Sequence, residues 1–269
     1  MRIVPLDCSA EELSLNDLIH IETPSNPSGI ALSISEFAEK AHSRGAFLMV
    51  DSTIGPPPLQ DPFAHGADIV MHSSTKYIGG HSDLLGGVIC VRNDFAGEPN
   101  NGAEIAKKLR YQRLLLGTVM GSLESWLGLR SIRTLGLRVI RASQSAIKLV
   151  KWLHSTITTT SPVAEVHHAS LQADKDPNIR EWLDKQMPNG YGPVFTILMR
   201  TPRMARHLPS HLEFFQHATS LGGVESLIEW RAIMHAEDER LLRVSVGCEE
   251  WQDLQCDLER ALKEVQSLE

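Results

Sequence analysis

The chain has 269 residues, of which 42% are hydrophobic and 22% are charged, an ordinary composition for a globular protein. Its formal net charge of −7 offers no basic surface, so nucleic acid is not an expected partner. No run approaches the roughly 20 apolar residues of a membrane span, and the N-terminus lacks the pattern of a secretory signal. The four cysteines are scattered without a CxxC pair, which predicts reduced thiols in a cytoplasmic protein.

Short apolar runs alternate with helical patterns in the first half of the chain. Strands are predicted over residues 17–22, 47–50, 67–71 and 84–92. A helix capped by Ser33 or Ser35 is predicted to run to about Arg44, where Gly45 stops it. Strands separated by helical crossovers predict a parallel α/β sheet, whose chemistry lies at the C-terminal ends of the strands.

The second half begins with a helical pattern over residues 104–155, which predicts one long connecting helix or a pair of helices. Strands are then predicted at residues 163–166, 194–199 and 241–246, with helices at 206–220 and 249–268. We therefore predict a large domain over residues 1–135 and a smaller α+β domain, with the connecting helix, over residues 136–269. The twelve histidines have no metal-ligand spacing, so a metal site is not expected.

Three hydroxyl residues, a lysine and a Gly-Gly turn follow the strand predicted at 67–71. Hydroxyls such as Ser73 and Thr75, with open backbone N–H groups, can bind phosphate. A partly desolvated Lys76 would have a lowered pKa, which favours the neutral amine that a Schiff base requires. Asp51, after an apolar strand, needs a partner such as a protonated pyridine nitrogen. From spacing alone, a plain turn and a capping Asp are the more common interpretations.

Several longer phrases of the sequence resemble one enzyme family in order along nearly the whole chain. The most specific is His-Ser-Ser-Thr-Lys-Tyr-Ile-Gly-Gly-His-Ser-Asp over residues 72–83. Others are Glu-Thr-Pro-Ser-Asn-Pro (22–27), Val-Asp-Ser-Thr (50–53), Leu-Gln-Asp-Pro (59–62), Gly-Ala-Asp-Ile-Val (66–70), Ser-Leu-Gly-Gly-Val-Glu-Ser-Leu (220–227) and Leu-Arg-Val-Ser-Val-Gly (242–247). They are similar to the Cys/Met-metabolism enzymes that depend on pyridoxal 5′-phosphate (PLP), the cystathionine γ-synthase family, and most similar to its fungal members, some of which serve secondary metabolism.

The resemblance implies an α/β protein with the fold type I of PLP-dependent transferases, similar to aspartate aminotransferase. It implies a partial large domain with a mostly parallel sheet and a smaller α+β C-terminal domain. Lys76 would hold PLP as a Schiff base and move protons, and Asp51 would pair with the pyridine nitrogen. Ser73 and Thr75 would bind the phosphate, and Asn26 would lie near the 3′ oxygen of the ring.

The C-terminal matches imply a substrate side of the same site. Arg243 would bind the α-carboxylate of an amino-acid substrate through its forked guanidinium. Ser226 would line the substrate side, and Glu225 would select a distal amino group. Without the resemblance, an arginine that alternates with apolar residues on a strand is more commonly an exposed one.

The sequence departs from the family in two places. Family members begin with a segment that this chain does not contain, which supplies an aromatic residue stacked on PLP, a Gly-rich phosphate turn and residues for a neighbouring subunit. Residues 230–240 also replace a family segment that carries a proline and a Thr-His pair. The resemblance to a family of oligomers implies a homo-oligomer, and the second departure leaves the identity of the substrate open.

Two functions of different classes are therefore expected. The first is PLP-dependent γ-substitution on an O-acyl-homoserine, with a cystathionine or methionine γ-lyase and a homoserine sulfhydrylase as related alternatives. The second is a catalytically incomplete chain that acts only as a structural subunit, because resemblance of fold does not guarantee a working site.

Overall fold

The computed structural model describes residues 2–95, 101–233 and 238–267. Nine strands and eight α-helices lie within these ranges. The strands are β1 (Leu18–Glu22), β2 (Phe47–Asp51), β3 (Ile69–Ser73), β4 (Gly87–Val91), β5 (Val163–His167), β6 (Val194–Met199), β7 (Gln216–His217), β8 (Leu227–Trp230) and β9 (Leu241–Ser245). The helices are α1 (Ile34–His42), α2 (Asn101–Leu115), α3 (Ser122–Ser131), α4 (Leu135–Ser155), α5 (Ala169–Lys175), α6 (Pro177–Gln186), α7 (Pro202–His207) and α8 (Trp251–Gln266).

The first sheet contains β1 to β4 in sequence order. Strands β1, β2 and β3 are parallel, whereas β4 runs antiparallel to β3 along the edge. The mostly parallel sheet is thus confirmed. The last strand is reversed because a turn, rather than a helical crossover, connects it to β3, and only a crossover returns the chain in a parallel direction.

Helix α1 begins and ends where its sequence signals indicate. The Ser33 side chain caps it by accepting a hydrogen bond from the Glu36 backbone N–H. Gly45 follows the helix with a φ of +66°, which favours glycine. The apolar side of α1, including Ile34 and Ala38, packs with Leu48 and Val50 in a buried cluster beside the parallel strands.

The second sheet has the strand order β5-β6-β9-β8-β7, in which only the β7–β8 pair is parallel. Helices α4 and α8 cover it with their apolar sides. Leu149 and Leu153 of α4 and Leu258 of α8 are fully buried in the same cluster as Phe195 and Val244 of the sheet. This arrangement confirms the smaller α+β unit, and α8 agrees with the helix predicted for 249–268, of which residue 268 lies outside the described residues.

The helix predicted over residues 206–220 is wrong. Helix α7 ends at His207, and a 3-10 helix, a bend over residues 213–215 and β7 follow. Pro209 removes a backbone donor that a continuing helix would need. The buried carboxylate of Asp257 on α8 accepts hydrogen bonds from the backbone N–H groups of Glu213 and Phe214 at 2.8–3.0 Å, which holds the chain in a non-helical path.

The sequence also did not predict α5, α6, β7 and β8, and the helical region over 104–155 consists of α2, α3 and α4 rather than one or two helices. A third buried cluster joins residues of both halves, among them Tyr77, Leu135 and Val194. The predicted domain division at residue 135 falls at the start of α4 and stays a prediction. None of the helices in the described ranges is long and apolar enough to cross a membrane.

Candidate active site

The parallel strands of the first sheet end at one edge with polar side chains. Glu22 at the end of β1 is in register with Asp51 at the end of β2. The carboxylate of Asp51 is partly buried, and its Oδ1 accepts a hydrogen bond from the Thr53 backbone N–H at 2.9 Å. The Thr53 hydroxyl in turn accepts from the backbone N–H of Ser73, at the end of β3. The structure thus links the ends of β2 and β3 where the sequence predicted the chemistry.

Lys76 lies in the turn that follows β3. Its backbone N–H donates to Ser73 O at 3.1 Å, and its carbonyl accepts from the Gly80 N–H at 2.7 Å. The Nζ atom of Lys76 is 3.4 Å from the Ser220 hydroxyl. Burial is the main cause that lowers the pKa of Lys76, and the charge of Arg243 lowers it further, whereas the Glu229 carboxylate opposes the shift. This combination favours the neutral amine.

The predicted phosphate-binding hydroxyls differ in what they contact. Ser73 is partly buried at the strand end. The Thr75 hydroxyl accepts a hydrogen bond from the Gly86 backbone N–H at 3.0 Å, which ties the Lys76 turn to the segment that leads into β4. The neighbouring Ser74 has a buried hydroxyl without a hydrogen-bond partner among the described residues.

Arg243 on β9 is brought to the same place from the second sheet. Its guanidinium donates to the carbonyls of Thr219 (2.6 Å) and Ser220 (2.8 Å) and to Oδ1 of Asn26 (3.2 Å). It also forms a buried ion pair with Glu229 at 2.7 Å. The structure therefore unites Asn26, Arg243 and Lys76, which are far apart in the sequence.

Glu225 and Ser226 have other contacts in this structure. Oε1 of Glu225 accepts a hydrogen bond from the Ser82 hydroxyl at 2.6 Å. Ser226 is fully buried; its hydroxyl donates to Glu249 at 2.8 Å and accepts from the Gly247 N–H at 2.9 Å. These contacts do not bring either side chain to Lys76 or Arg243, and their roles toward a substrate stay predictions.

Four further residues at the site were not singled out from the sequence: Glu22, His72, Ser220 and Glu229. The pKa of Glu22 is raised by burial and by the neighbouring charge of Asp51, although the Asn26 backbone N–H opposes the shift. The pKa of His72 is lowered by burial, against the opposing charge of Asp51. Glu22 and His72 could have been found from the sequence, because they lie near the ends of predicted strands. Ser220 and Glu229 could not, because only long-range contacts bring them to the site.

The groups present fit a phosphorylated pyridine aldehyde such as PLP. A partly buried amine with a lowered pKa suits the aldehyde, and a partly buried carboxylate suits a protonated ring nitrogen. The side-chain hydroxyls near the end of β3 suit a phosphate, and the unpartnered Ser74 hydroxyl is one such donor. Among the described residues, no three His, Cys, Asp or Glu side chains gather as a metal site.

A mostly parallel sheet with a lysine turn at the C-terminal edge of its parallel strands, joined to a smaller α+β unit that supplies an arginine, is the arrangement of fold type I PLP-dependent enzymes. The sequence pattern of the Cys/Met metabolism PLP-dependent enzymes matches residues 10–263. The chain belongs to that family.

Named relatives and solved structures agree with this assignment. The cystathionine beta-lyase of Lactococcus lactis subsp. cremoris is 36% identical over 257 residues, which are 91% of this chain and 63% of the relative. The cystathionine gamma-synthase of Mycobacterium bovis is 37% identical over 255 residues, 91% of this chain and 61% of the relative. The chain therefore spans less than two thirds of the length of these relatives.

Two crystal structures show the same fold. The apo methionine gamma lyase of Micromonospora echinospora superposes with a TM-score of 0.80 at 37% identity, covering 91% of this chain and 63% of that one. The cystathionine gamma-lyase of Lactobacillus plantarum, solved in complex with L-serine, gives a TM-score of 0.80 at 30% identity, with 93% and 64% covered.

Proposed function

We propose that this chain carries the part of a PLP-dependent active site that contains Lys76. The reaction that we propose for this site is γ-substitution on an O-acyl-homoserine. The observation that carries the proposal is the position of Lys76. Its amine, with a pKa lowered by burial and by Arg243, lies within 3.4 Å of Ser220 at the edge where Asp51 ends the neighbouring strand.

PLP, when bound, supplies an electron sink that stabilises negative charge on the substrate carbon beside the amino group. The Asp51 carboxylate would accept a hydrogen bond from the protonated ring nitrogen, because a negative charge beside that nitrogen favours its protonated form. Ser73, Ser74 and Thr75 would hold the phosphate at the end of β3. When it is not bonded to PLP, the neutral amine of Lys76 would accept the proton from the α-carbon of the substrate. It would then donate that proton to a neighbouring atom.

Arg243 would bind the α-carboxylate of the substrate, since a guanidinium offers two parallel donors to a carboxylate. In this structure its donors face Asn26, Glu229 and the carbonyls of residues 219 and 220. Binding would therefore exchange some of these contacts for substrate oxygens. The L-serine in the Lactobacillus plantarum enzyme supports an amino acid as the ligand class. Glu225 and Ser226 would lie farther along the substrate, with Glu225 suited to a distal amino group.

A second candidate is a lyase that releases the carbon skeleton as a keto acid. The support for it is specific, because a cystathionine beta-lyase and two solved gamma-lyases are among the similar proteins. The gamma-synthase of Mycobacterium bovis supports the γ-substitution reading at comparable identity. A homoserine sulfhydrylase would differ only in the thiol that adds.

A homo-oligomer is part of the same proposal. Helices α2 and α3, the turn between them and the residue that follows α3 expose many large apolar side chains. We call this the α2–α3 apolar surface: Tyr111, Leu114, Leu115, Leu116, Val119, Met120, Leu123, Trp126, Leu129 and Ile132. Exposed apolar patches of this kind mark protein interfaces.

All four cysteines are free, which supports a reducing, cytoplasmic location.

Titration of the purified chain with PLP tests the cofactor role. We expect a visible absorption band and, after borohydride reduction, a mass increase of one phosphopyridoxyl group on the peptide that contains Lys76. Lys76→Ala should lose both signals, whereas Lys185→Ala, an exposed lysine on α6, should keep them. Absence of the adduct at saturating PLP would contradict the proposal and favour a structural subunit.

Product analysis separates the two reactions. Incubation with an O-acyl-homoserine and cysteine should give cystathionine if γ-substitution is correct. Release of a keto acid and ammonia from cystathionine, without formation of a new thioether, would instead identify the lyase.

A further inference from the structure

Arg138 on α4 makes an unusual set of contacts with the turn that carries Lys76. The residue is only 9% exposed. Its Nη1 donates to the carbonyl of Tyr77 at 2.8 Å, and its Nη2 lies 3.4 Å from the carbonyl of Ile78. These are the two residues that directly follow Lys76, so one guanidinium holds the main chain beside the lysine.

The rest of the same guanidinium is fixed at the junction of α3 and α4. Its Nε donates to the Thr134 hydroxyl at 3.0 Å, and Nη2 also donates to the Ser131 carbonyl at 3.0 Å. A planar guanidinium presents its five N–H donors in a rigid fork. Bonds on both sides of that fork therefore connect the position of α4 to the position of the Lys76 turn.

The opposite side of the turn is closed by the C-terminal loop. The Val224 backbone N–H donates to the Gly80 carbonyl at 3.0 Å. A Cβ atom on Gly222 would lie 3.1 Å from Lys76 Cβ, and a Cβ atom on Gly80 would overlap the Arg138 guanidinium. The turn is thus held between the loop of residues 222–224 and Arg138, with no room for movement toward either.

We propose that Arg138 is a positioning residue that fixes the Lys76 amine by holding the turn after it. The inference rests on the proposed function of Lys76, but it concerns the geometry of the chain without a cofactor. Loss of the guanidinium frees the carbonyls of Tyr77 and Ile78 and leaves a space on the α4 side into which the turn can move. The Lys76 amine then becomes more exposed to water and less constrained beside Arg243.

Labelling of lysines with an amine-acylating reagent over a range of pH tests this in the full chain without PLP. The pH midpoint for the Lys76 peptide, read by mass spectrometry, reports its pKa and does not depend on how accessible the amine is. In Arg138→Ala we expect the midpoint to rise by about one pH unit, which is a tenfold smaller neutral fraction at a given pH. Guanidinium ion should lower it again, whereas sodium chloride at the same concentration should not.

Arg141→Ala is the matched control, because Arg141 lies one turn farther along α4 and contacts the Glu249 carbonyl and Glu250 instead. It should leave the midpoint unchanged. If Arg138→Ala does not fold by circular dichroism, Arg138→Lys is the second variant, and its midpoint should rise by a smaller amount. An unchanged midpoint in either folded variant, or a shift that guanidinium does not reverse in Arg138→Ala, would overturn the proposal. Failure of PLP binding by the wild-type chain would not, so the two ideas fail separately.

Discussion

Glu229 and Arg243 lie directly opposite each other on the neighbouring antiparallel strands β8 and β9, and their side chains form an ion pair of 2.7 Å. Both side chains are at most 3% exposed. Arg231 donates to the same carboxylate oxygen at 3.1 Å. One buried carboxylate thus binds two guanidiniums, one of which is the predicted substrate ligand.

Glu229→Gln should destabilise the protein strongly. The amide keeps the shape of the side chain but leaves two buried guanidiniums without this negative charge. Removal of one partner from a buried ion pair typically costs about 3–5 kcal/mol in the free energy of unfolding. Urea denaturation followed by circular dichroism measures the change. Glu181→Gln, which breaks an exposed pair with Lys185 on α6, is the control and should have little effect. A loss below about 1 kcal/mol for Glu229→Gln would contradict the structural importance of the pair.

Lys76→Met should stabilise the protein at neutral pH, and the advantage should shrink as the pH rises. The folded state lowers the pKa of Lys76, mainly through burial, so the unfolded state binds its proton more tightly. Burial of the charged Lys76 amine destabilises the folded state. This destabilisation is complete below the lowered pKa and disappears as the pH rises from that pKa to the ordinary lysine value of about 10.4. Urea denaturation of both proteins at pH 7 and near pH 10 measures the difference. An equal difference in the free energy of unfolding between the two proteins at both pH values would contradict the lowered pKa of Lys76.

His168 should make the protein sensitive to acid. Burial lowers its pKa to about 4, and its ring nitrogens contact Ser170 and the Gly192 carbonyl in the fully buried cap of α5. The stability contributed by the neutral ring is present above about pH 6.5 and is lost as the pH falls toward 4. The loss is on the order of 3 kcal/mol.

The matched test of this prediction is His168→Asn, which keeps a capping acceptor but does not titrate in this range. Its stability, compared with wild type between pH 7 and 4 by thermal or urea unfolding, should lack the His168 contribution to the acid loss. His154→Asn, at an exposed site in the last turn of α4, should behave like wild type. Identical pH profiles for all three proteins would show that His168 does not titrate as inferred.

Charge placed on the α2–α3 apolar surface should reduce self-association. Trp126 and Leu129 on α3 are 58% and 68% exposed, so a substitution there leaves the core of the chain intact. We expect Leu129→Glu to shift the protein toward a smaller species in analytical ultracentrifugation, because an interface would have to bury the new charge. Leu15, which is 74% exposed and lies outside that surface, provides the control, and Leu15→Glu should leave the sedimentation unchanged. Equal sedimentation of both variants and wild type would contradict an interface at this surface.

The local sequence was sufficient for the elements whose signals are short-range. The sequence predicted the apolar run 47–50 with its terminal Asp51 and the turn around Lys76, and it limited the cap of α1 to Ser33 or Ser35, of which the structure uses Ser33. Strand burial, capping and turns depend on residues only a few positions apart. The helix predicted at 206–220 failed for the opposite reason. Its path is decided by Asp257, which is distant in sequence and binds the backbone of Glu213 and Phe214.

The sequence by itself determined the family and the order of the residues that bear chemistry, since a specific string such as that over 72–83 is read without knowing the fold. Only the tertiary structure decided which groups surround Lys76. Glu229 and Ser220 reach it through the pairing of β8 with β9 and the packing of a loop, and Arg138 reaches its turn from α4. Glu229 opposes the lowering of the Lys76 pKa, and Arg138 bonds the two carbonyls that follow Lys76. These effects depend on burial and on charges that only the folded chain brings together, so the spacing of residues in the sequence does not predict them.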